Sequence, residues 1–308
     1  MTLTVGSLFT GYGGLDMAVE EFFGAKTSWF SEVEPAAIKV YEHHNPGVPN
    51  LGDITKIDWS TAPGVDIMCG GSPCQDMSTA GVRAGMLNGT RSGLWENMRE
   101  GIATLRPKYV VWENVKGAYS AKAYSDVERT EGRVGGIRAL GRVVGDLANL
   151  GYDCRWGVVR ASDAGAPHRR ERVFLLAASA DSDGFPKRLG PVTGRVATPR
   201  VSLEASLTST LSEPGTRNAN NDDESSVEGT LVSFGPYTEA VNRWITPVPA
   251  PLITGRLSPD FTDWTMGLSP GYTKVVENVA KRHTLAGNGV VPQQALLALE
   301  LLTGEHCD

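Results

Sequence analysis

The sequence predicts an α/β chain, a doubly wound sheet carrying a smaller second region, and three features of its 308 residues point there. Short apolar runs alternate with segments of helical periodicity up to about Ala180, the pattern of a mainly parallel sheet covered by helices. A glycine-rich turn, Gly11 to Gly14, separates the first apolar run from the first helical segment. From Asp181 the composition shifts to Ser, Thr, Asn, Pro and Gly, which marks a different region.

In order, strands are expected at Thr4 to Phe9, Thr27 to Ser31, Asp66 to Gly70, Tyr109 to Glu113, Tyr152 to Val159 and Val173 to Ala177. Apolar residues at helical spacing place helices at Leu15 to Phe23, Pro35 to His44, Leu94 to Leu105 and Ile137 to Leu150. The polar, glycine-containing stretch from Ala118 to Gly136 has no clean period and reads as a long surface loop. Residues 202–229 are too poor in apolar side chains to bury a core and are expected to be mobile. Structure should resume where Tyr237, Val241 and Trp244 share one helical face, and a last helix is expected from Gln293 to Leu302. The division that follows is a main domain over 1–180, a recognition region over 181–256, and a segment over 257–308 that returns to the main domain.

Composition narrows the class. Apolar and charged fractions of 41% and 21% are those of an ordinary globular chain. No run approaches the roughly 20 apolar residues that span a bilayer, and the first residues lack a basic segment followed by an apolar one. The expectation is a cytoplasmic protein without a membrane partner. Cys69, Cys74, Cys154 and Cys307 show neither CxxC pairing nor histidines at zinc spacing, so no disulfide framework and no metal are expected. A net charge of -6 does not advertise a nucleic-acid binder, but Arg169, Arg170, Arg172, Lys187, Arg188, Arg195 and Arg200 make the stretch from His168 locally basic.

Three motifs carry chemistry. Phe9 to Gly14, FTGYGG, puts glycines where the backbone approaches a ligand at a helix N-terminus, and Glu32 and Glu34 follow the next strand, where ribose hydroxyls are held. Alone, the turn has a plain tight turn as its lesser alternative; the missing third glycine disfavours a dinucleotide and with it an NAD-dependent oxidoreductase. GGSPCQDMSTAG places Cys74 at the carboxyl end of a central strand, where α/β sheets build their sites; the alternative is an inert buried thiol. Glu113 ends the next strand in WENV, where an apolar cleft raises a carboxyl pKa; the alternative is a carboxylate paired with an arginine.

Together these residues resemble the C5-cytosine DNA methyltransferase family, of bacterial or phage type, in motif order along most of the chain. SLFTGYGGLD, FSEVEP, the GDI at Gly52 to Ile54, GGSPCQ, GTRSGLWENM, ENV, GAPHRRERVFLLA, RLSPDFTDWTMGL and LAGNGVVPQQA each match one of its motifs. His168 stands where the family usually has Gln.

The resemblance implies a Rossmann-like sheet binding S-adenosyl-L-methionine and releasing S-adenosylhomocysteine. Phe9 would pack on the adenine ring, Glu32 beside Val33 would hold the ribose, Asp53 and Ile54 would meet the adenine, and Asn288 would line the methionine end. Gly11, Tyr12, Gly13, Gly14, Leu15, Pro73, Leu94 and Val290 complete the implied cofactor set.

It also implies that Cys74 is the nucleophile, Glu113 the acid, and Arg170 and Arg172 the cytosine and phosphate contacts. The implied substrate is duplex DNA with one cytosine flipped out, the implied enzyme a monomer, with a restriction endonuclease as companion. A tRNA cytosine methyltransferase and an inactive DNA-binding homologue are the alternatives.

Overall fold

The computed structural model describes residues 2–72, 94–119, 122–123, 137–188, 244 and 248–304. Strand β1 (Thr4–Leu8) leads to helix α1 (Gly14–Phe23), then β2 (Lys26–Ser31), α2 (Pro35–His44), β3 (Ile67–Gly70), α3 (Leu94–Leu105) and β4 (Tyr109–Val115). After them come β5 (Lys122–Ala123), β6 (Ile137–Arg138), α4 (Ala139–Asn149), β7 (Tyr152–Arg160) and β8 (Glu171–Ser179). A small hairpin, β9 (Leu252–Ile253) with β10 (Arg256–Leu257), precedes α5 (Pro259–Thr265), α6 (Val279–Asn288) and α7 (Pro292–Thr303).

Six strands form one sheet in the order β2-β1-β3-β4-β8-β7. The first four pair in parallel, as expected, whereas β8 runs antiparallel to both β4 and β7. The cause is the connection: only ten residues, 161–170, join β7 to β8, too few for a helical crossover, so the chain turns back as a hairpin. The ladder also runs on to pair Arg160 with Glu171, which lengthens β8 beyond the expected Val173–Ala177. A second correction lies in the expected loop after Ala118, where β5 pairs antiparallel with β6 and delays the start of α4 to Ala139.

Helices cover both faces. On one, Trp95, Met98 and Ile102 of α3 and Leu140, Val143 and Leu147 of α4 pack on Val110, Trp112, Val173 and Leu175. On the other, Val19, Phe22 and Phe23 of α1 and Leu296 to Leu299 of α7 pack on Val5, Ile67, Val111, Phe174 and Leu176. The last helix thus fills the core beside the first, which fixes the C-terminal segment against the main sheet. Burying about 0.8 kcal/mol per methylene makes these two layers the main stabilisers.

The order of strands reverses at β1: the chain goes from β1 to β2 on one side and to β3 on the other. A crevice opens beyond the carboxyl ends of strands at such a switch point. The expected recognition region is described only at 181–188, 244 and 248–256; residues 202–229 lie outside the described residues, as do Tyr237 and Val241. Trp244 is buried and donates its indole N–H to the Trp264 carbonyl at 2.8 Å.

Candidate active site

At the β1 end of the crevice the chain leaves the strand at Phe9, whose φ of +54° is a conformation a bulky side chain rarely adopts. Its N–H still donates to the Ser31 carbonyl at 3.0 Å, so the sheet holds the strained residue in place. Gly11 and Gly13 continue with φ of +59° and +89°, and Gly13 is the N-cap of α1.

Glu32, at the tip of β2, accepts the Gly11 N–H at 2.8 Å on one oxygen and the Val33 and Glu34 N–H groups at 2.8 and 2.9 Å on the other. Asn50 braces this turn: its amide donates to the Glu32 carbonyl, and its oxygen accepts from the Glu32 and Gly52 N–H groups. Val33, immediately after, is 63% exposed, an apolar side chain without apolar cover. Asp53 is held by Thr55, which donates its N–H and its hydroxyl to one carboxylate oxygen and holds the group below the usual carboxylate range. Ile54 beside it is buried. Apolar Phe9 and Val33 set among the acceptors of Glu32 and Asp53 suit a nucleoside with hydroxyls and an exocyclic amine. Glu34 is an exposed helix N-cap whose side chain caps nothing, so of the two acids singled out only Glu32 is built into the turn.

The C-terminal segment closes over this turn. Tyr12 is fully buried and donates its hydroxyl to the Val290 carbonyl at 2.6 Å. A Cβ at Gly14 would overlap the Val290 carbonyl oxygen, and one at Gly289 would overlap the Tyr12 ring. Glycine is therefore required at both positions by close approach of backbone to backbone and of backbone to ring. Asn288 is exposed at the end of α6 and Val290 is half-buried beside it.

Arg170 ties the same segment to the arginine motif. Its two terminal nitrogens donate to the Gly287 and Gly289 carbonyls at 2.9 and 2.5 Å. Arg170 was expected at a DNA phosphate; in the structure each of its terminal nitrogens donates one hydrogen bond to the main chain of the C-terminal segment. Gln294 donates to both the Arg170 and Val159 carbonyls at 2.8 Å, and Gln293 to the Gly267 carbonyl at 2.9 Å.

At the β4 end, Glu113 is buried and its carboxylate takes the Arg172 Nε at 3.0 Å. The antiparallel register, Glu113 opposite Phe174 and Val115 opposite Arg172, brings the two side chains together on one face. Burial pushes the Glu113 carboxyl above its ordinary range, and the Arg172 and Arg170 guanidiniums oppose that shift. A Cβ at Gly71 would come within 2.8 Å of the other Glu113 oxygen, so the end of β3 leaves room for this carboxyl. Asn114 donates to the Ser72 carbonyl at 2.9 Å and Trp112 to the Ser72 hydroxyl at 3.1 Å. Ser72 is thereby anchored two residues before Cys74. Pro73 and Cys74 themselves lie outside the described residues.

The remaining expectations divide. Leu15 points into the hydrophobic core, so its side chain is structural, whereas Leu94 starts α3 half-buried against the opposite cluster. His168 is a bound histidine whose Nε2 lies 2.8 Å from the Thr265 carbonyl; burial pushes it below its ordinary range. Arg188, counted among the basic residues, pairs internally with Glu21 and Glu300. The residues sequence reasoning missed are Asn50, Ser72, Gln293, Gln294 and Asp16, which lies beneath the glycine turn and accepts the Ser7 hydroxyl at 2.7 Å. Ser72, Asp16 and the two glutamines stand inside quoted motifs, which was the available signal.

Comparison with known proteins agrees with this arrangement. The chain matches the C-5 cytosine-specific DNA methylase family over residues 3–232. It is 33% identical over 173 residues to the type II methyltransferase M.NlaIV of Neisseria lactamica, covering 54% of this chain and 39% of that protein. Over 170 residues it is 32% identical to M.MspI of Moraxella sp, covering 55% and 37%. The matched stretch is thus well under half the length of these relatives. Among solved structures, the Dnmt2 methyltransferase of S. pombe superposes with a TM-score of 0.60 at 17% identity, covering 98% of this chain and 99% of that one. The Entamoeba histolytica methyltransferase EhMeth gives 0.59 at 12% identity over the whole of both chains. The sheet order, the glycine turn closed by the C-terminal segment and the Glu113–Arg172 pair accompany a family match over most of the sequence: this chain belongs to the C-5 cytosine-specific DNA methylase family.

Proposed function

We propose that the protein is a DNA (cytosine-5-)-methyltransferase that takes a flipped cytosine at the β3–β4–β8 tips, with Cys74 as nucleophile. The observation that carries this reading is the buried Glu113, held by Arg172 against Gly71, beside an anchored Ser72. Cys74 follows Ser72 by two residues, a reach of at most about 7 Å along the chain.

Cytosine carbon 5 is a poor nucleophile until electrons are pushed into the ring. The Cys74 thiolate adds to carbon 6, while Glu113 hydrogen-bonds ring nitrogen 3 and the exocyclic amine and stabilises the enamine that results. Arg172 has a further guanidinium nitrogen beyond the one bound to Glu113, and it serves the cytosine carbonyl. Once carbon 5 carries the methyl group, its proton passes to a base or to water, and the electron pair of that C–H bond re-forms the carbon 5–carbon 6 double bond and expels the Cys74 sulfur as thiolate. Because the base starts inside a duplex, unstacking costs a few kcal/mol that protein contacts offset.

When bound, S-adenosyl-L-methionine supplies the methyl group as an electrophile and departs as S-adenosylhomocysteine. Phe9, Val33, Glu32, Asp53 and Ile54 would hold its adenosine part, and the Asn288–Val290 stretch the methionine part. We further propose that residues 181–256 select the target sequence, and that the protein acts as a monomer in the cytoplasm of a bacterial or phage-infected cell. A restriction endonuclease would be its companion, as the type II names of the relatives suggest.

The test is expression in a host free of cytosine methylation, followed by bisulfite sequencing of its DNA, for the native chain and for Cys74→Ser. Methylcytosine at one recurring context, lost in the variant, is expected. Methylation retained by Cys74→Ser would remove the thiol from the mechanism, and none in either would shift the substrate to RNA.

A further inference from the structure

Beside the Glu113–Arg172 pair, three cations converge on one carboxylate. Glu171 lies 2.9 Å from the Lys116 ammonium, 3.1 Å from the Arg169 guanidinium and 3.5 Å from that of Arg160. These residues come from three places in the chain: Lys116 directly after β4, Arg160 at the end of β7, and Arg169 just before β8. The antiparallel ladder that pairs Arg160 with Glu171 brings them to one rim. The rim adjoins the base-handling end, because Arg172 donates to the Glu171 carbonyl at 2.9 Å.

One carboxylate neutralises one of the three cations, and two positive charges remain. The other acid between Arg160 and Arg172 is Asp163, whose carboxylate accepts the Arg160 main-chain N–H at 2.9 Å. The Lys116 and Arg169 side chains are 54% and 60% exposed, while Glu171 beneath them is 17% exposed. Exposed ion pairs contribute at most about 1 kcal/mol each, so folding alone does not call for three of them on one acid. What the acid does is hold long, flexible cations in one orientation, facing solvent, before a ligand arrives. Arg170, the neighbour expected to meet a phosphate, is bound to the Gly287 and Gly289 carbonyls.

We propose that Lys116, Arg160 and Arg169, organised by Glu171, bind the phosphodiester backbone of the nucleic-acid strand beside the reacting base. This rests on the nucleic-acid substrate of the preceding reading. The site is blind to sequence, since it meets phosphates and no base edges, and it sets register rather than target.

Each phosphate contact of this kind steepens the dependence of log affinity on log salt by about 0.9. The experiment measures binding of a short fluorescent duplex of mixed sequence by anisotropy across a salt series, with the full chain. The double variant Lys116→Ala/Arg169→Ala is expected to flatten the slope by about 1.8. Between about 50 and 200 mM salt the native chain then loses about 12-fold more affinity than the variant. Arg169→Lys keeps the charge and should keep the slope. Lys26→Ala, an exposed cation at the amino end of β2 on the opposite edge of the sheet, should match the native chain. A double variant with the native slope overturns the proposal while leaving the methyltransferase reading intact. A native chain without salt-dependent duplex binding overturns both.

Discussion

Asp16, beneath the glycine turn, and Glu113, at the tip of β4, are both buried carboxyls lifted above the ordinary range by burial, yet their surroundings differ. The donors near Asp16 are neutral: the Ser7 hydroxyl at 2.7 Å, the Cys69 thiol more distantly at 3.9 Å, and the Tyr41 hydroxyl close by. Without a cation its pKa is pushed up to about 7. Glu113 has Arg172 in contact and Arg170 nearby, and both oppose the desolvation. The cofactor end thus uses a carboxyl as part of its packing, whereas the base end keeps one whose proton can respond to a hydrogen-bonding ring nitrogen.

The sharpest way to break this contrast is Glu113→Gln. It should slow single-turnover methyl transfer by about 10²- to 10⁴-fold, the range of a lost general acid, with duplex affinity nearly unchanged. A variant that failed to fold would instead make Glu113 a structural partner of Arg172. Next in size is Gly14→Ala. The added methyl meets the Val290 carbonyl, a backbone atom that cannot swing away, and should cost about 1–3 kcal/mol in denaturant unfolding and weaken cofactor binding in calorimetry.

Asp16→Asn tests the cofactor side by its pH dependence. A carboxyl whose folded pKa stands at about 7, above its unfolded value, stabilises the fold at low pH, and that contribution is lost as pH rises from the ordinary carboxylate range through about 7. The variant should therefore gain in melting temperature relative to the native chain at about pH 8 and lose that advantage at about pH 5. Equal differences at both pH values would place the Asp16 proton elsewhere.

The smallest effect belongs to His168→Gln. The neutral imidazole donates to Thr265, and a glutamine amide donates as well, so stability should change by less than about 1 kcal/mol near neutral pH. The sign is opposite to that of Asp16: a histidine with a depressed folded pKa loses its contribution as pH falls below the unfolded value, so the variant should resist acid better.

How much of this was legible follows the span of each interaction. The six strands of the main sheet, the helix starting at Pro35 and the turn through Gly11 and Gly13 are local choices of φ, capping and apolar period, and the sequence shows them directly. The two-residue strands β5, β6, β9 and β10 are too short to leave a period. The antiparallel β8 was hidden because periodicity reports a strand's faces and not its direction. The Arg170 ties were hidden for a related reason: their acceptors, Gly287 and Gly289, stand 117 and 119 residues away, beyond any spacing argument. Glu113 could be singled out because it stands near the end of a central strand, and Cys74 because its motif follows the preceding such run in the sequence. The Asn114–Ser72 tie that joins those tips needed the register between β3 and β4.

The most direct test of the base-handling end uses duplex DNA in which 5-fluorocytosine replaces cytosine. Fluorine at carbon 5 cannot leave as the proton does, so a thiolate that has added to carbon 6 stays attached after methyl transfer. Incubation with S-adenosyl-L-methionine, proteolysis and mass spectrometry should find the DNA covalently joined to the peptide holding Cys74. An adduct at another residue, or none under conditions where ordinary duplex is methylated, would contradict the account.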